Sequence, residues 1–212
     1  MYRLKNIIPT PLSDLSHDTK SVWGNEVEIP GGKKILLNAS SGKGKSTFSN
    51  ILYGLRNDYT DEVLYKGQNI LNFDLNTWIE IRQNELSAVF QDLQLFGDLT
   101  TMENLQIKNE LTQHKSEDEI LEMIDLLGIS DKKNQTCKTM SLGQQQRVAI
   151  IRALLLPYKF LILDEPFSHL DEENAAKALA LINRETERNN AGYVLTTLGS
   201  HHGFSFDLEL NL

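Results

Sequence analysis

The sequence holds a single cysteine, Cys137, in 212 residues, which excludes an internal disulfide and suits a reducing cytosol. Cys137 reads as a small residue of a polar loop rather than a nucleophile. Long apolar runs are missing as well. The longest candidate, residues 148–156, is interrupted by Arg152, so no segment reaches the roughly 18 apolar residues of a membrane span. The N-terminus carries no apolar core of about 7–15 residues, and no signal peptide is expected. Excess positive charge is absent: a formal net charge of −8 argues against broad nucleic-acid binding, which needs a basic stripe. Lys33, Lys34, Lys43 and Lys45 form the one notable basic cluster, beside a glycine loop. The chain also lacks repeats, low-complexity tracts and long linkers, and its length suits one α/β domain with room for a subdomain.

What is present starts at that loop. Ala39, Ser40, Ser41, Gly42, Lys43, Gly44, Lys45, Ser46 and Thr47 end in Gly-Lys-Ser-Thr, preceded by the apolar run Ile35-Leu36-Leu37 and followed by a helix-compatible stretch to about Leu55. Small residues expose successive backbone N–H groups that converge on an anion, and a helix starting at the loop's end adds its positive pole. Lys45 supplies a point charge to phosphates, and the Ser46 hydroxyl suits the Mg²⁺ that accompanies them.

Phe160-Leu161-Ile162-Leu163 is a run for a strand covered on both faces, as in a parallel sheet, and it ends in Asp164-Glu165. Ligands of such sheets bind at the carboxyl ends of the strands. There Asp164 would hold the metal and Glu165 would polarise an attacking water. Further strands are expected at 34–38, 86–90 and 193–197, an edge strand at Val63-Leu64-Tyr65, and a final alternating piece at 205–210. Between about 92 and 153 the pattern is helical. Ile120, Leu121, Met123, Ile124 and Leu127 recur at helical spacing, and nothing alternates like a strand.

Within that stretch, Met140-Ser141-Leu142-Gly143-Gln144 reads as a helix start, with Ser141 as cap and Gln144 closing a capping box. Taken with Gln91 after strand 86–90 and Ser168-His169-Leu170-Asp171 after the acidic strand, the spaced motifs resemble the ATP-binding cassette (ABC) ATPases over nearly the whole chain. The resemblance implies a P-loop NTPase core with a mostly parallel sheet, a small antiparallel β part and a helical insert. Residues 1–212 would form a single domain, with a helical subdomain at about 92–153. It makes 39–47 the phosphate loop and Gln91 the glutamine that senses metal and water. Ser141, Gly143 and Gln144 become the signature, Asp164-Glu165 the Walker B pair and Asp171 the D-loop aspartate.

In that family the signature faces the terminal phosphate of ATP held by a second subunit, so two cassettes dock head to tail. The resemblance therefore implies ATP and Mg²⁺ as cofactors, with Lys45, Gln91 and Glu165 as catalytic residues and Ser46, Gln91 and Asp164 around the metal. A second ABC ATPase subunit, another copy or a different cassette, and a separate transmembrane subunit are the implied partners. The chain would then be cytoplasmic, held to the inner face of the membrane by that partner. The run 90–105 is closest to short cassettes of the lipoprotein-release and cell-division type, and Phe96 and Leu99 are its interface candidates. Glu103 and Asn104 suit either a helix cap or a partner contact.

Three departures matter. Ala39 stands where the strict loop has glycine; if that position needs positive φ, its methyl costs on the order of 1 kcal/mol. Leu142 takes the first signature glycine. The switch histidine position holds Thr197 or Leu198, with His201 and His202 a few residues on. Slow hydrolysis in isolation is expected, with loss of the switch favoured over replacement. The alternative function is a catalytically weakened nucleotide-dependent clamp or a regulatory ATP-binding protein. Trp23 and Tyr2 are the aromatic candidates for the adenine, Trp23 being equally suited to the core.

Overall fold

The apolar runs become strands and the runs of 3.6-residue periodicity become helices. In the computed structural model, which describes residues 1–14, 18–40, 42–197 and 205–212, the chain opens with β1 (Tyr2–Lys5), β2 (Glu26–Ile29), β3 (Lys34–Asn38) and α1 (Lys45–Leu52). It continues through β4 (Glu62–Tyr65), β5 (Gln68–Asn69), α2 (Leu75–Asn84) and β6 (Leu86–Val89). Next come α3 (Thr101–Asn109), α4 (Glu117–Leu126) and α5 (Leu142–Leu154). The last elements are β7 (Phe160–Asp164), α6 (Glu172–Arg188), β8 (Gly192–Thr197) and β9 (Leu208–Asn211).

Two sheets result. One is parallel in the order β6-β7-β8-β3-β9, the other antiparallel in the order β2-β1-β4-β5. The expected edge strand is therefore interior. Lys66-Gly67 turns the chain back, with Lys66 at φ +50° and Gly67 at φ +83°, and β5 covers the flank of β4. Nothing in 62–65 announces β1 on the other side, because that pairing is set by a strand some sixty residues away.

Alternation along the parallel strands builds two cores. Leu36, Leu161, Leu163, Tyr193 and Leu195 face α3–α6, whereas Ile35, Leu37, Phe160, Ile162 and Val194 face α1 and the antiparallel sheet. Period-2 alternation sends neighbours to opposite faces, and coverage of both faces explains why these strands read as unbroken apolar runs. The stretch 92–153 holds α3, α4, most of α5 and no strand. Its Met102, Leu105, Met123 and Ile124 join the same core as Leu161 and Leu163.

Two expectations fail here. Cys137 is 1 % exposed and belongs to that core; its Sγ accepts from Asn104 Nδ2 at 3.3 Å. The polar neighbours in sequence hid a side chain that points inward. The lysine cluster also splits: Lys33 pairs with Asp207 and Lys34 with Glu187 at the start of β3, whereas Lys43 and Lys45 follow its end. A five-residue strand separates the two pairs by about 16 Å at the rise of an extended chain.

Candidate nucleotide site

Three strands end flush. Thr196 of β8 lies opposite Asp164 of β7 on one side and Leu37 of β3 on the other, so the loops leaving β3 and β7 meet across β8. After β3 the backbone takes left-handed turns at Gly42 (φ +79°) and Gly44 (φ +96°), then enters α1 at Lys45. The φ of +96° requires glycine there, and a Cβ would in addition displace the end of the Leu12 side chain, 2.6 Å away at Cδ1. No side chain caps α1 and no acidic residue lies in its first turn. Its first N–H groups therefore lack intrahelical acceptors, the arrangement that attracts an anion.

Ala39 is not among the residues of positive φ, so its methyl group carries no strain. The conditional penalty on that position does not apply. Ser41, also assigned to the loop from sequence, lies outside the described residues.

Lys45 is 6 % exposed, and its Nζ lies 3.3 Å from the carbonyl oxygens of Ala39 and Ser40 and 3.3 Å from Glu165 Oε1. A cavity of about 280 Å³ opens there, lined by Gly42, Gly44, Lys45, Ser46, Gln91 and Glu165 among others. Beside it a second cavity of about 460 Å³ is lined by Ser46, Gln91, Asp92 and Asp164. Ser46 Oγ donates to Gln91 Oε1 at 3.2 Å. Ser46, Gln91 and Asp164 thus offer hard oxygen donors to one space, which fits Mg²⁺ held in part by water and phosphate. Among the described residues no cluster of three His, Cys, Asp or Glu offers an all-protein metal cage.

Burial pushes the Asp164 carboxyl above its ordinary range. The charge of Glu165 adds to this, while hydrogen bonds from Ser46 and Thr196 and the charge of Lys45 oppose it. A divalent cation would reverse the balance by favouring the carboxylate.

Glu165 itself sits at φ +49°. Its N–H donates to Thr196 Oγ1 at 3.2 Å and its carbonyl accepts from Gln146 Nε2 at 3.0 Å. Thr196 Oγ1 in turn donates to Asp164 Oδ1 at 2.8 Å. Sequence reading missed Thr196 and Gln146, both buried. Thr196 left a trace: a polar residue inside a run that both faces of a sheet cover. Gln146 left none, since glutamine is ordinary on a helix.

Ser141, Gly143 and Gln144 are placed apart from this cluster. They begin α5, where Ser141 Oγ accepts from Gln144 N at 3.3 Å and Gln144 Oε1 accepts from Ser141 N at 3.0 Å. None of the three lines the cavity around Lys45. Leu142 is exposed at the helix start. A Cβ on Gly143 would lie 2.6 Å from the carbonyl oxygen of His169, so the loop after β7 closes onto this helix only because residue 143 has no side chain. Asp171 caps α6, accepting from Asn174 N at 2.8 Å.

The adenine candidates are ruled out by burial. Trp23 and Tyr2 are 1 % and 2 % exposed. Trp23 Nε1 donates to Lys43 O at 3.0 Å, so the ring braces the phosphate loop from behind. Tyr2 donates to Leu52 O. Glu103 closes a capping box with Thr100, and buried Asn104 bonds to Phe96 and Thr100, so both residues have a structural role. Thr197 ends β8 and is largely buried, whereas Leu198, His201 and His202 lie outside the described residues.

Comparison with known proteins agrees with this geometry. The ABC transporter family profile matches residues 24–168. The lipoprotein-releasing system ATP-binding protein LolD of Treponema denticola is 32% identical over 188 residues, covering 87% of this chain and 83% of that protein. HrtA of Staphylococcus haemolyticus, an ATP-binding protein named for hemin import, is 31% identical over 169 residues, covering 78% and 76%. Among solved structures, the dimeric bacterial ABC transporter cassette MJ0796 superposes with a TM-score of 0.83 at 26% identity, over 100% of this chain and 94% of that one.

Proposed function

The chain belongs to the ABC transporter family, and on that premise we propose that it is the Mg-dependent ATPase subunit of a membrane complex, driven by head-to-tail dimerisation around ATP. The observation that carries this is the meeting of Lys45, Ser46, Gln91, Asp164 and Glu165 at one end of the parallel sheet, with Lys45 Nζ 3.3 Å from Glu165. Lys45 and the first N–H groups of α1 bind the phosphates. Ser46, Gln91 and Asp164 hold Mg²⁺, which when bound neutralises phosphate charge. Glu165 orients a water for in-line attack on the terminal phosphorus. The bond to the bridging oxygen of ADP breaks, and the water's proton passes by way of Glu165 to the released phosphate. Thr196 and Gln146 hold the Glu165 backbone from two sides. Ser141, Gly143 and Gln144 serve the ATP of the second subunit, consistent with none of them lining their own Lys45 cavity.

Residues 92–153 act as a helical subdomain that meets the membrane subunit, as in the lipoprotein-release type. A cavity of about 260 Å³ lined by Tyr53, Phe90, Leu93, Lys108 and Arg152 supports this. Arg152 lies over the ring of exposed Phe96 at 5.3 Å. Burial and the charges of Arg152 and Arg82 push Lys108 down to about 8, so an acidic group of the partner would be welcome there. Leu99 is half-buried and contributes less. No described helix is long and apolar enough to cross a membrane, so attachment to its inner face rests on the partner.

The test is Glu165→Gln. The variant is expected to bind ATP, to elute as a dimer with Mg-ATP on size exclusion, and to lose phosphate release. A variant that binds ATP normally yet stays monomeric sinks the composite-site reading. Thr197 or Leu198 in place of a histidine at the switch position favours the second reading, a slow clamp. Phosphate release by the wild-type chain at background level, with dimerisation intact, would select it.

A further inference from the structure

One histidine outside the switch region stands where an imidazole is useful. His169 is exposed, and its backbone N–H donates to buried Gln146 Oε1 at 2.9 Å. Its Nδ1 lies 3.1 Å from Ser168 Oγ and 3.3 Å from Gln146 Oε1. Gln146 Oε1 can only accept, and it is already served by the His169 N–H, so its contact with Nδ1 is a hydrogen bond only when the ring proton is on Nδ1. When Ser168 Oγ donates to Nδ1 instead, the proton sits on Nε2, for which no hydrogen bond is found among the described residues, and an approaching phosphate, itself an acceptor, selects this second tautomer. The side chain is thus oriented at one nitrogen and open at the other. His169 does not line the cavity around its own Lys45. It belongs instead to the surface of the signature: its carbonyl lies 2.6 Å from where a Cβ of Gly143 would be, and Gln146 on the same helix holds its backbone.

We propose that His169 is a catalytic residue in trans, donating a hydrogen bond from Nε2 to the terminal phosphate of the ATP bound by the partner copy, where the partner's own β8 ends in threonine. The inference rests on the head-to-tail dimer proposed above, in which the start of α5 faces the second subunit's phosphate. What lies beside that helix start faces it too. Nε2–H stabilises charge that grows on the terminal phosphate oxygens as the water attacks; it keeps its proton throughout. Neither Thr197 nor Leu198 offers an imidazole donor, and His169 makes one available without any residue of 198–204. Gly143 then has two uses, a close backbone at the phosphate and room for the loop that carries His169.

Mixed dimers decide between the two subunits. The reference pairs a wild-type chain with a Glu165→Gln chain, leaving one site able to hydrolyse. In the first test dimer a His169→Ala chain is paired with a Glu165→Gln chain, so the intact site receives His169 from its partner. In the second a wild-type chain is paired with a Glu165→Gln/His169→Ala chain, so the intact site keeps its own His169 and loses the partner's. Single-turnover phosphate formation per dimer is expected at the reference rate in the first and lowered 10²–10³-fold in the second, the usual loss for one transition-state donor. The reverse order, or both dimers at the reference rate, overturns the proposal. Failure of Glu165→Gln to dimerise with Mg-ATP would instead refute the dimer reading itself. Glu165→Gln/His169→Ala that dimerises like Glu165→Gln shows that folding and ATP binding survive the change.

Discussion

Helices α3, α4 and α5 each begin with a hydroxyl residue, Thr100, Ser116 and Ser141, that exchanges hydrogen bonds with the residue three positions on. Helix α1, at the carboxyl edge of the parallel sheet, begins with left-handed Gly44 and has no side-chain cap at all. The contrast continues through the two regions. The helical stretch caps its helix starts locally and anchors itself to α6 through buried Lys115, whose Nζ lies 2.6 Å from Glu185 Oε2. The sheet edge keeps a lysine buried against carbonyl oxygens, a carboxyl held above its ordinary range and a glutamate in left-handed backbone. Left-handed backbone also occurs in turns and loops, as at Lys66 and Gln113. What sets the sheet edge apart is the combination, at one place, of a buried lysine, a raised carboxyl, an uncapped helix and Glu165 in that conformation.

The largest effect that would sharpen this contrast is on stability. Glu185→Leu leaves Lys115 buried with only Glu119, at 3.7 Å, for a partner. Breaking a buried pair from one side typically costs about 3–5 kcal/mol. Urea unfolding should show a loss of that order, and a change below about 1 kcal/mol would mean that the pair is not what ties α4 to α6. Lys45→Ala acts on the other region. It removes a buried charge from the phosphate cradle, and ATP affinity measured by calorimetry should fall by about 2–5 kcal/mol in binding free energy. Unchanged affinity would show that the strained edge is not the phosphate site.

Asp164→Asn reads the strain directly. A carboxyl raised in the folded state contributes stability that is complete below its unfolded pKa, near 3.9, and is lost as pH rises through the folded value. At pH 7 the asparagine variant without nucleotide should therefore melt higher than wild type while hydrolysing less. The gain should shrink as pH falls toward 4. A lower melting temperature at pH 7 would break the argument.

Ser116→Ala, a purely local change, should cost about 1 kcal/mol by the loss of one cap. Ala39→Gly should do least. Because Ala39 is outside the left-handed region, glycine relieves nothing there, and extra freedom in the unfolded chain destabilises by roughly 0.4–1 kcal/mol. Tighter ATP binding by this variant would contradict the observed backbone.

How much was legible follows the same division. The strands 34–38 and 160–164, the helical spacing of 120–127, the helix start at Ser141 and the phosphate loop all obey rules written over a few residues, and they appear where those rules put them. β1 and the interior position of β4 were not legible, because strand pairing across sixty residues leaves no local mark. Cys137, Tyr2 and Trp23 misled for a related reason: their neighbours in sequence do not reveal which way a side chain faces.

The sequence by itself determined the chemistry available: the glycine loop with Lys45 and Ser46, the acidic end of an apolar strand, the signature and the family they resemble. Only the tertiary structure decided what these groups do to one another. It set Thr196 between Asp164 and Glu165, tied Glu165 and His169 to one buried glutamine, and left the signature out of the lining of its own Lys45 cavity. The physical reason is that these are contacts between ends of strands and helices far apart in the chain. Register and packing fix such contacts, and neither is encoded within any one segment.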